Sequence, residues 1–294
     1  MTTTVTGKTA TTLLLDGTAE ARALRTKVAQ DVAAAAQRYG AVPGLATVLV
    51  GNDPASVAYV TAKRRAIREA GMRDMHCYLP GNAAQAEVAA VIDELAQDSE
   101  VSGILLQLPL PEGLDAATLI DRIPVSKDVD GLTTASTGLL ARGAHGLRPC
   151  TPVGVLHLLD GAHVGLRGAH AVVVGHSALV GRPMARMLLQ RDATVTVAHQ
   201  HTVDLASLTR QADILIVAAG VHGLVGAEHV KQGAVVIDVG IHRTPEGLEG
   251  DVRAHELRGI ARLITPVPGG VGPMTIAVLL TNTLLAFEQE RTCS

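Results

Sequence analysis

The sequence predicts an α/β protein built around a doubly wound, mainly parallel sheet. Three observations lead there. Short apolar runs alternate with helical segments along nearly the whole chain, the βαβα pattern that parallel sheets require. The 294 residues suffice for two modest α/β domains or one large one. Hydrophobic residues make up 47% and charged residues 18%, a globular composition rather than a disordered one.

In the first half, Ala19 to Tyr39 is Ala-rich with apolar residues at helical spacing, and Pro43-Gly44 breaks it. Leu45 to Val50 reads as a buried strand ending at Gly51. Asn52-Asp53-Pro54 is a turn, and the chain is helical from Ser56 to Ala70. Ala84 to Gln97 is a second amphipathic helix. Gly103 to Leu108 is a strand stopped by Pro109 and Pro111. Asp115 to Arg122 forms a short helix before the tight acidic turn Lys127-Asp128-Val129-Asp130-Gly131. The second half opens near Pro149-Cys150-Thr151-Pro152. Strand runs recur at Ala171 to Val174, Ala193 to Ala198, Ile214 to Ala218 and Ala234 to Val239, and a long helix from Met274 to Glu290 follows a Pro/Gly cluster.

Composition excludes several function classes. Lys plus Arg is 25 against 28 for Asp plus Glu, a net charge of -3, so there is no basic excess to neutralise a nucleic acid. Cys77, Cys150 and Cys293 have neither zinc-site nor disulfide-framework spacing, and no metal is expected. The Thr-rich N-terminus carries an apolar run, Leu13 to Leu15, too short for a signal-peptide core. No apolar stretch reads as a membrane span, so no membrane partner and a reducing cytosol are expected. Aromatics are Tyr39, Tyr59, Tyr78 and Phe287 alone. The core is therefore aliphatic, and few residues can stack on a flat ligand.

The strongest local signal runs from Ala171 to Pro183. A buried strand enters a tight turn at Gly175-His176-Ser177, and a helix follows Val180-Gly181. Free N–H groups at such a helix start can hold a pyrophosphate. Ser177 replaces the middle glycine of GxGxxG and the last spacing is one longer, so the pattern alone also fits an ordinary βα turn. The next strand tip reads Val197-Ala198-His199-Gln200-His201, without the carboxylate that an NAD site uses for the ribose hydroxyls. A 2′-phosphate is tolerated there, which favours NADP. His176, His199, His201 and Arg182 are nearby donors by sequence, each equally a solvated loop residue.

Tyr59 and Lys63 are four apart on one helix face after a strand end. Alone, such a pair is as readily a snorkelling surface pair. Gln107 lies inside an apolar strand end. With these residues in view, the chain resembles the bifunctional methylenetetrahydrofolate dehydrogenase/cyclohydrolase family. The matching stretches are VGNDPASVAYVTAK, GILLQLPLP, KDVDG, LRPCTP, VVVGHSALVGRPM, AVVIDVGI and ITPVPGGVGPMT, in family order from about Leu14 to about Glu288.

The resemblance implies a folate-binding catalytic domain over residues 1–149, completed by 273–294. A Rossmann-like NADP-binding domain over 150–272 lies between, and the cleft between the domains holds the folate. It implies Lys63 as the key catalytic group, Tyr59 stacking on the folate, Gln107 supporting the lysine and Asp130 hydrogen-bonding the pterin. Leu108 and Pro273 complete the substrate site. Gly175, His176, Ser177, Val180, Gly181 and Ile241 line the NADP site. The activity implied is oxidation of 5,10-methylene-tetrahydrofolate with NADP, then hydrolysis of the methenyl form to 10-formyl-tetrahydrofolate, by a cytoplasmic homodimer. A dehydrogenase-only or substrate-shifted paralogue and a non-catalytic nucleotide-binding protein are the alternatives.

These residue types suit that chemistry. Hydride loss from the methylene carbon is assisted by the adjacent nitrogen lone pairs and needs no strong base. Water attack on the resulting cation needs positioning and proton transfer, which a lysine in a desolvated site can provide. The chain departs from many relatives at Ser136, where they carry Asn, and at His176, where they carry Arg or Ala. Gly220-Val221-His222-Gly223 also lacks their frequent Lys/Arg-Pro.

Overall fold

The computed structural model describes residues 11–292; the start of the Thr-rich segment and Cys293 lie outside the described residues. The strands are β1 (Leu13–Leu14), β2 (Gly44–Val50), β3 (Arg73–Leu79), β4 (Gly103–Leu106), β5 (His170–Val174), β6 (Thr194–Ala198), β7 (Ile214–Val217), β8 (Val235–Asp238), β9 (His242–Thr244), β10 (Gly247–Glu249) and β11 (Leu263–Ile264). The helices are α1 (Gly17–Tyr39), α2 (Pro54–Glu69), α3 (Gln85–Gln97), α4 (Ala116–Ile120), α5 (Thr134–Ala141), α6 (Cys150–Gly161), α7 (Gly181–Leu189), α8 (Leu205–Thr209) and α9 (Val271–Thr292).

The chain forms two compact units. One combines Ala19–Gly154 with the chain from Pro273 onward; the other combines the chain up to Thr18 with Val155–Gly272. The sequence division places the first boundary after residue 149 rather than 154 and keeps the N-terminal segment with the first unit; its second boundary, after residue 272, is the same. The N-terminal segment joins the second unit because Leu13 and Leu14 pair in parallel with Leu263 and Ile264.

The first unit holds a three-stranded parallel sheet in the order β3-β2-β4. Strand side chains alternate between faces. Leu45 and Leu105 therefore point into one cluster with Val28 and Val32 of α1, Ile67 of α2 and Phe287 of α9. Ala46, Val48, Ile104 and Leu106 point into another with Val88 and Ile92 of α3 and Leu119 of α4. Helix α2 begins sharply: the Asp53 carboxylate accepts the Ser56 N–H at 2.8 Å, and Pro54 needs no partner for a missing donor. Lys127 closes the other end of the opposite layer. Its buried Nζ donates to the carbonyls of Ala96 (2.9 Å) and Asp98 (2.7 Å) at the carboxyl end of α3.

Helix α9 is long and apolar enough by length and composition to cross a membrane, which the sequence reading did not anticipate. Its apolar side chains serve the core instead. Of its most apolar window 61% is buried, with Val278, Leu279, Leu280, Leu284 and Phe287 in the α1–α2 cluster. Two polar residues are buried with them, Thr283 and Asn282, the latter 6% exposed. Its Nδ2 donates to Val129 O at 2.8 Å and Arg148 O at 2.9 Å. The helix thereby holds the loop that carries Asp130.

The second unit holds a six-stranded sheet in the order β1-β11-β8-β7-β5-β6, parallel throughout. The chain goes from β5 to β6 on one side and returns to β7 on the other. This reversal is a topological switch point, where open α/β sheets bind ligands at the strands' carboxyl ends. Val172, Leu215, Val217 and Val236 form the centre of its core. Strands β9 and β10 form a separate antiparallel hairpin.

Asn282→Ala leaves two buried carbonyls without their shared donor. It should lower unfolding stability by about 1–3 kcal/mol, read as a lower urea midpoint at unchanged slope.

Candidate active site

Four of the residues singled out by sequence lie in the first unit and converge. Tyr59 and Lys63 sit one turn apart on α2. Lys63 is half-buried and its Nζ donates to Gln107 Oε1 at 3.0 Å. Strand β4 ends two residues earlier than expected, at Leu106, but Gln107 N–H still donates to Val48 O at 2.9 Å. Its side chain is 8% exposed, and its Nε2 donates to the carbonyl of Leu108, which turns Oε1 toward the lysine. The tyrosine is 41% exposed and presents its ring to solvent.

In the acidic turn the two aspartates divide the labour. Asp128 is buried, and its carboxylate accepts the N–H groups of Leu132 (3.1 Å) and Thr133 (2.9 Å), so it builds the turn. Asp130 is left to face the lysine. Desolvation pushes the Asp130 carboxyl above the usual carboxylate range; the Lys63 charge and a hydrogen bond from the Cys150 thiol oppose that rise, and Asp128 adds to it.

Two members of this cluster were not assigned roles from the sequence. Cys150 is buried, its Sγ 3.3 Å from Val129 O, and burial followed by the nearby Asp130 pushes its thiol well up. Asn282 Nδ2 lies 3.7 Å from the same sulfur. The available signals were the cysteine of LRPCTP and an amide in the apolar stretch of α9. Ser136, the third residue of α5, is buried with its Oγ unpartnered among the described residues. Leu108 is half-buried beside Gln107. Pro273 is the third residue of α9, half-buried, and no hydrogen bond links it to the Lys63–Gln107 pair.

The residues expected from the sequence to line the cofactor site lie in the second unit. Gly175 follows β5 at φ +116°, and a Cβ there would meet Ala218 O at 2.1 Å. A Cβ on Gly181, the first residue of α7, would meet Gly175 O at 2.1 Å. Only glycine fits either place. Ser177 Oγ accepts the Val180 N–H at 3.2 Å and Ser177 O accepts the Arg182 N–H at 3.1 Å, so the turn is tied across its mouth. His176 and Ser177 are exposed there. At the tip of β6, buried Ala198 is followed by exposed His199, Gln200 and His201, with no carboxylate at the tip. A dinucleotide with a phosphorylated ribose fits these features.

Ile241, 46% exposed, stands just beyond β8, on a loop held by two buried carboxylates. Asp238 accepts the N–H groups of Gly240, Asp251 and Val252, each at 3.0 Å. Asp251 accepts from Ala219 N (2.7 Å), Gly220 N (2.8 Å) and His242 Nε2 (2.7 Å). This network joins the ends of β7 and β8 and was not read from the sequence. Among the described residues, no group of three or more His, Cys, Asp and Glu is arranged to hold a metal ion.

A doubly wound nucleotide-binding unit and a second α/β unit bearing a lysine-centred polar site define the class, a two-unit α/β enzyme that works with a dinucleotide. Comparison with known proteins narrows it. Residues 15–130 match the family model for the tetrahydrofolate dehydrogenase/cyclohydrolase catalytic domain, and 149–291 match the model for the NAD(P)-binding domain of the same enzymes. The chain is 60% identical over 276 residues to bifunctional protein FolD 2 of Frankia casuarinae, covering 94% of this chain and 96% of that one. Its structure is similar to that of Campylobacter jejuni FolD, with 43% identity, TM-score 0.92 and coverage of 95% and 99%. It is similar also to Trypanosoma brucei FolD complexed with NADP cofactor and inhibitor, with 38% identity, TM-score 0.92 and coverage of 96% and 99%. The chain belongs to the tetrahydrofolate dehydrogenase/cyclohydrolase family.

The Asp238 network has a pH signature. Burial, opposed by the three N–H donors, pushes the Asp238 carboxyl up to about 6 from 3.8. The folded state therefore holds this proton between about pH 4 and 6 while the unfolded chain releases it. Stability contributed by this group falls as pH rises through that window, by about 3 kcal/mol in all. Asp238→Asn should remove this part of the slope, read from urea unfolding at intervals from pH 4 to 7.

Proposed function

We propose that the chain oxidises 5,10-methylene-tetrahydrofolate to the 5,10-methenyl form and then hydrolyses that form to 10-formyl-tetrahydrofolate, with NADP as cofactor. The observation that carries this reading is the Lys63–Gln107 hydrogen bond beside the desolvated Asp130 carboxyl. A surface Tyr/Lys pair has no use for a buried glutamine that fixes the amine. The first unit is then the folate-binding catalytic domain and the second the NADP-binding domain.

Bound NADP supplies the hydride acceptor. The chain's own residues position, solvate and move protons. Tyr59 offers a flat, exposed face for the pterin. Asp130 offers a carboxyl to the pterin N–H donors, and its desolvation makes that contact strong. In the hydride step the C–H electron pair leaves the methylene carbon, and the folate nitrogens share the positive charge that results. In the hydrolysis a water oxygen bonds to the methenyl carbon, the carbon–N5 bond breaks, and one proton is released. Gln107 holds Lys63 Nζ in place, and the amine in its neutral form, having given up its own proton, acts as the base that takes the proton of the attacking water.

The setting proposed is a cytoplasmic homodimer without a nucleic-acid or membrane partner. A net charge of -3 gives no basic excess for a nucleic acid, and the use of α9 as a core helix supports a chain that does not cross a membrane.

Lys63→Met keeps the stem and its packing but removes the nitrogen. Cyclohydrolase activity should fall by about 10²–10⁴-fold. The hydride step needs less from this residue, so methenyl-tetrahydrofolate should accumulate, followed by its absorbance alongside that of NADPH. Near-normal cyclohydrolase activity in the folded variant would sink the assignment. Asp130→Ala should weaken folate binding by about 1.5–3 kcal/mol and leave NADP binding unchanged in equilibrium titrations. Equal loss of both ligands would point to a collapsed loop.

A further inference from the structure

Two exposed β-branched residues stand where the chain leaves adjacent strands of the second unit. Val221 lies beyond the end of β7 and is 51% exposed; Ile241 lies beyond the end of β8 and is 46% exposed. Side chains so exposed add little to a core, yet the backbone of each is held on both sides. Ile241 is fixed between Gly240, whose N–H donates to Asp238 at 3.0 Å, and His242, whose Nε2 donates to Asp251 at 2.7 Å. Val221 is fixed between Gly220, whose N–H donates to Asp251 at 2.8 Å, and His222, whose Nε2 donates to the Glu249 carboxylate.

The Val221 loop needs such ties. Gly220 (φ +67°) and Gly223 (φ +59°) bracket Val221 and His222, and glycines of this kind leave a loop free to move. At the far end Gly223 N–H donates to Gly250 O at 3.1 Å, and Arg253 Nη1 donates to Gly223 O at 2.6 Å. Between the two glycines the tie is the His222–Glu249 contact. Both side chains are about half-exposed, and a pair so placed contributes little to global stability. Its effect is local. Glu249 lies on β10, and its partner strand β9 begins at His242, immediately after Ile241. The contact therefore locks the loop leaving β7 onto the hairpin that follows the exit of β8, and the His222 ring stands 5.7 Å from that of His242.

Doubly wound folds take one half of a dinucleotide on each side of the point where strand order reverses. The glycine turn after β5 and the tip of β6 serve the phosphorylated end, which leaves the exits of β7 and β8 for the other. We infer that the His222–Glu249 contact is a clasp that positions Val221, so that Val221 and Ile241 form a fixed aliphatic wall against the nicotinamide half of the cofactor. His222 and Glu249 are positioning residues that act through Val221. Branched side chains on a pinned backbone have little freedom left to lose when a flat ring settles on them. This wall presupposes the cofactor reading above and adds the residues that shape its nicotinamide side.

Equilibrium titration of the full chain with NADP and with 2′,5′-ADP, which lacks the nicotinamide half, tests this. Val221→Ala removes methyl groups from the wall and should weaken NADP about fivefold while 2′,5′-ADP binds as before. His222→Ala and Glu249→Ala should each weaken NADP about threefold, at unchanged Tm. The double variant should be no weaker than either single one, because both remove the same contact. His222→Gln keeps a donor for Glu249 and should restore most of the affinity. Amide hydrogen exchange over residues 219–224 should speed up in the two alanine clasp variants and not in His222→Gln. NADP affinity unchanged in Val221→Ala overturns the wall, and affinity unchanged in His222→Ala despite faster exchange overturns the clasp. Equal losses of NADP and 2′,5′-ADP overturn both, since the pair then merely supports the fold. In each of these cases binding of NADP by the parent chain leaves the cofactor reading standing. A parent chain that binds neither ligand overturns that reading and the wall with it.

Discussion

In a parallel sheet every strand delivers its carboxyl end to the same edge, and both candidate sites follow from that constraint. Strands β2 and β4 are neighbours with Val48 opposite Leu106. The helix that leaves β2 therefore starts beside the residue that leaves β4. Lys63, on the third turn of α2, then reaches Gln107 without any long loop. The second unit repeats the logic with different cargo. Gly175, Ala198 and Val217 end or follow three adjacent strands, and the reversal of strand order at β5 opens the space where the glycine turn sits.

Strand ends release the chain into loops, and loops must satisfy their backbone groups. Aspartates do so repeatedly in this protein. Asp53 caps α2, Asp128 folds the acidic turn, and Asp238 with Asp251 gathers six N–H or imidazole donors between them. Taking a carboxylate out of water is costly, and several N–H donors offset the cost only while the loop keeps its shape. Each buried carboxylate thus specifies one loop conformation. Asp130 differs: its neighbours are a thiol and a lysine rather than a set of amides, which leaves oxygen valence for a ligand.

The long periodic elements were legible because burial on both faces writes continuous apolar runs: GLATVLV, HAVVV and ILIV are strands in sequence as in structure. Strand β3 was not read, because RDMHCYL is an edge strand whose exposed and half-buried positions admit Arg73, Asp74 and His76 and break the apolar run. The two-residue strands β1 and β11 are too short to show a period. Helix α5 hides behind Thr and Ser of low helix propensity and is held by its Thr133 cap. In the first unit, Tyr59, Lys63, Gln107 and Asp130 were singled out through the motifs that carry the family resemblance. Cys150 and Asn282 were not, since their roles come from contacts across 132 residues of chain that no local pattern records.

The scarcity of aromatics shows how the first unit allocates its side chains. Tyr39 and Phe287 meet edge to face at 5.8 Å, with Arg38 and Arg291 over their rings, and so lock α1 to the end of α9. Tyr78 lies on the edge strand β3. Tyr59 alone stands on the helix face that carries Lys63. Its exposed ring covers no core cluster, so packing gives no reason for a large aromatic there, where alanine would support α2 better. That is what the role proposed for Tyr59, stacking on a flat ligand, requires, and its position one turn before the lysine puts the ring on the same helix face as the amine that Gln107 holds.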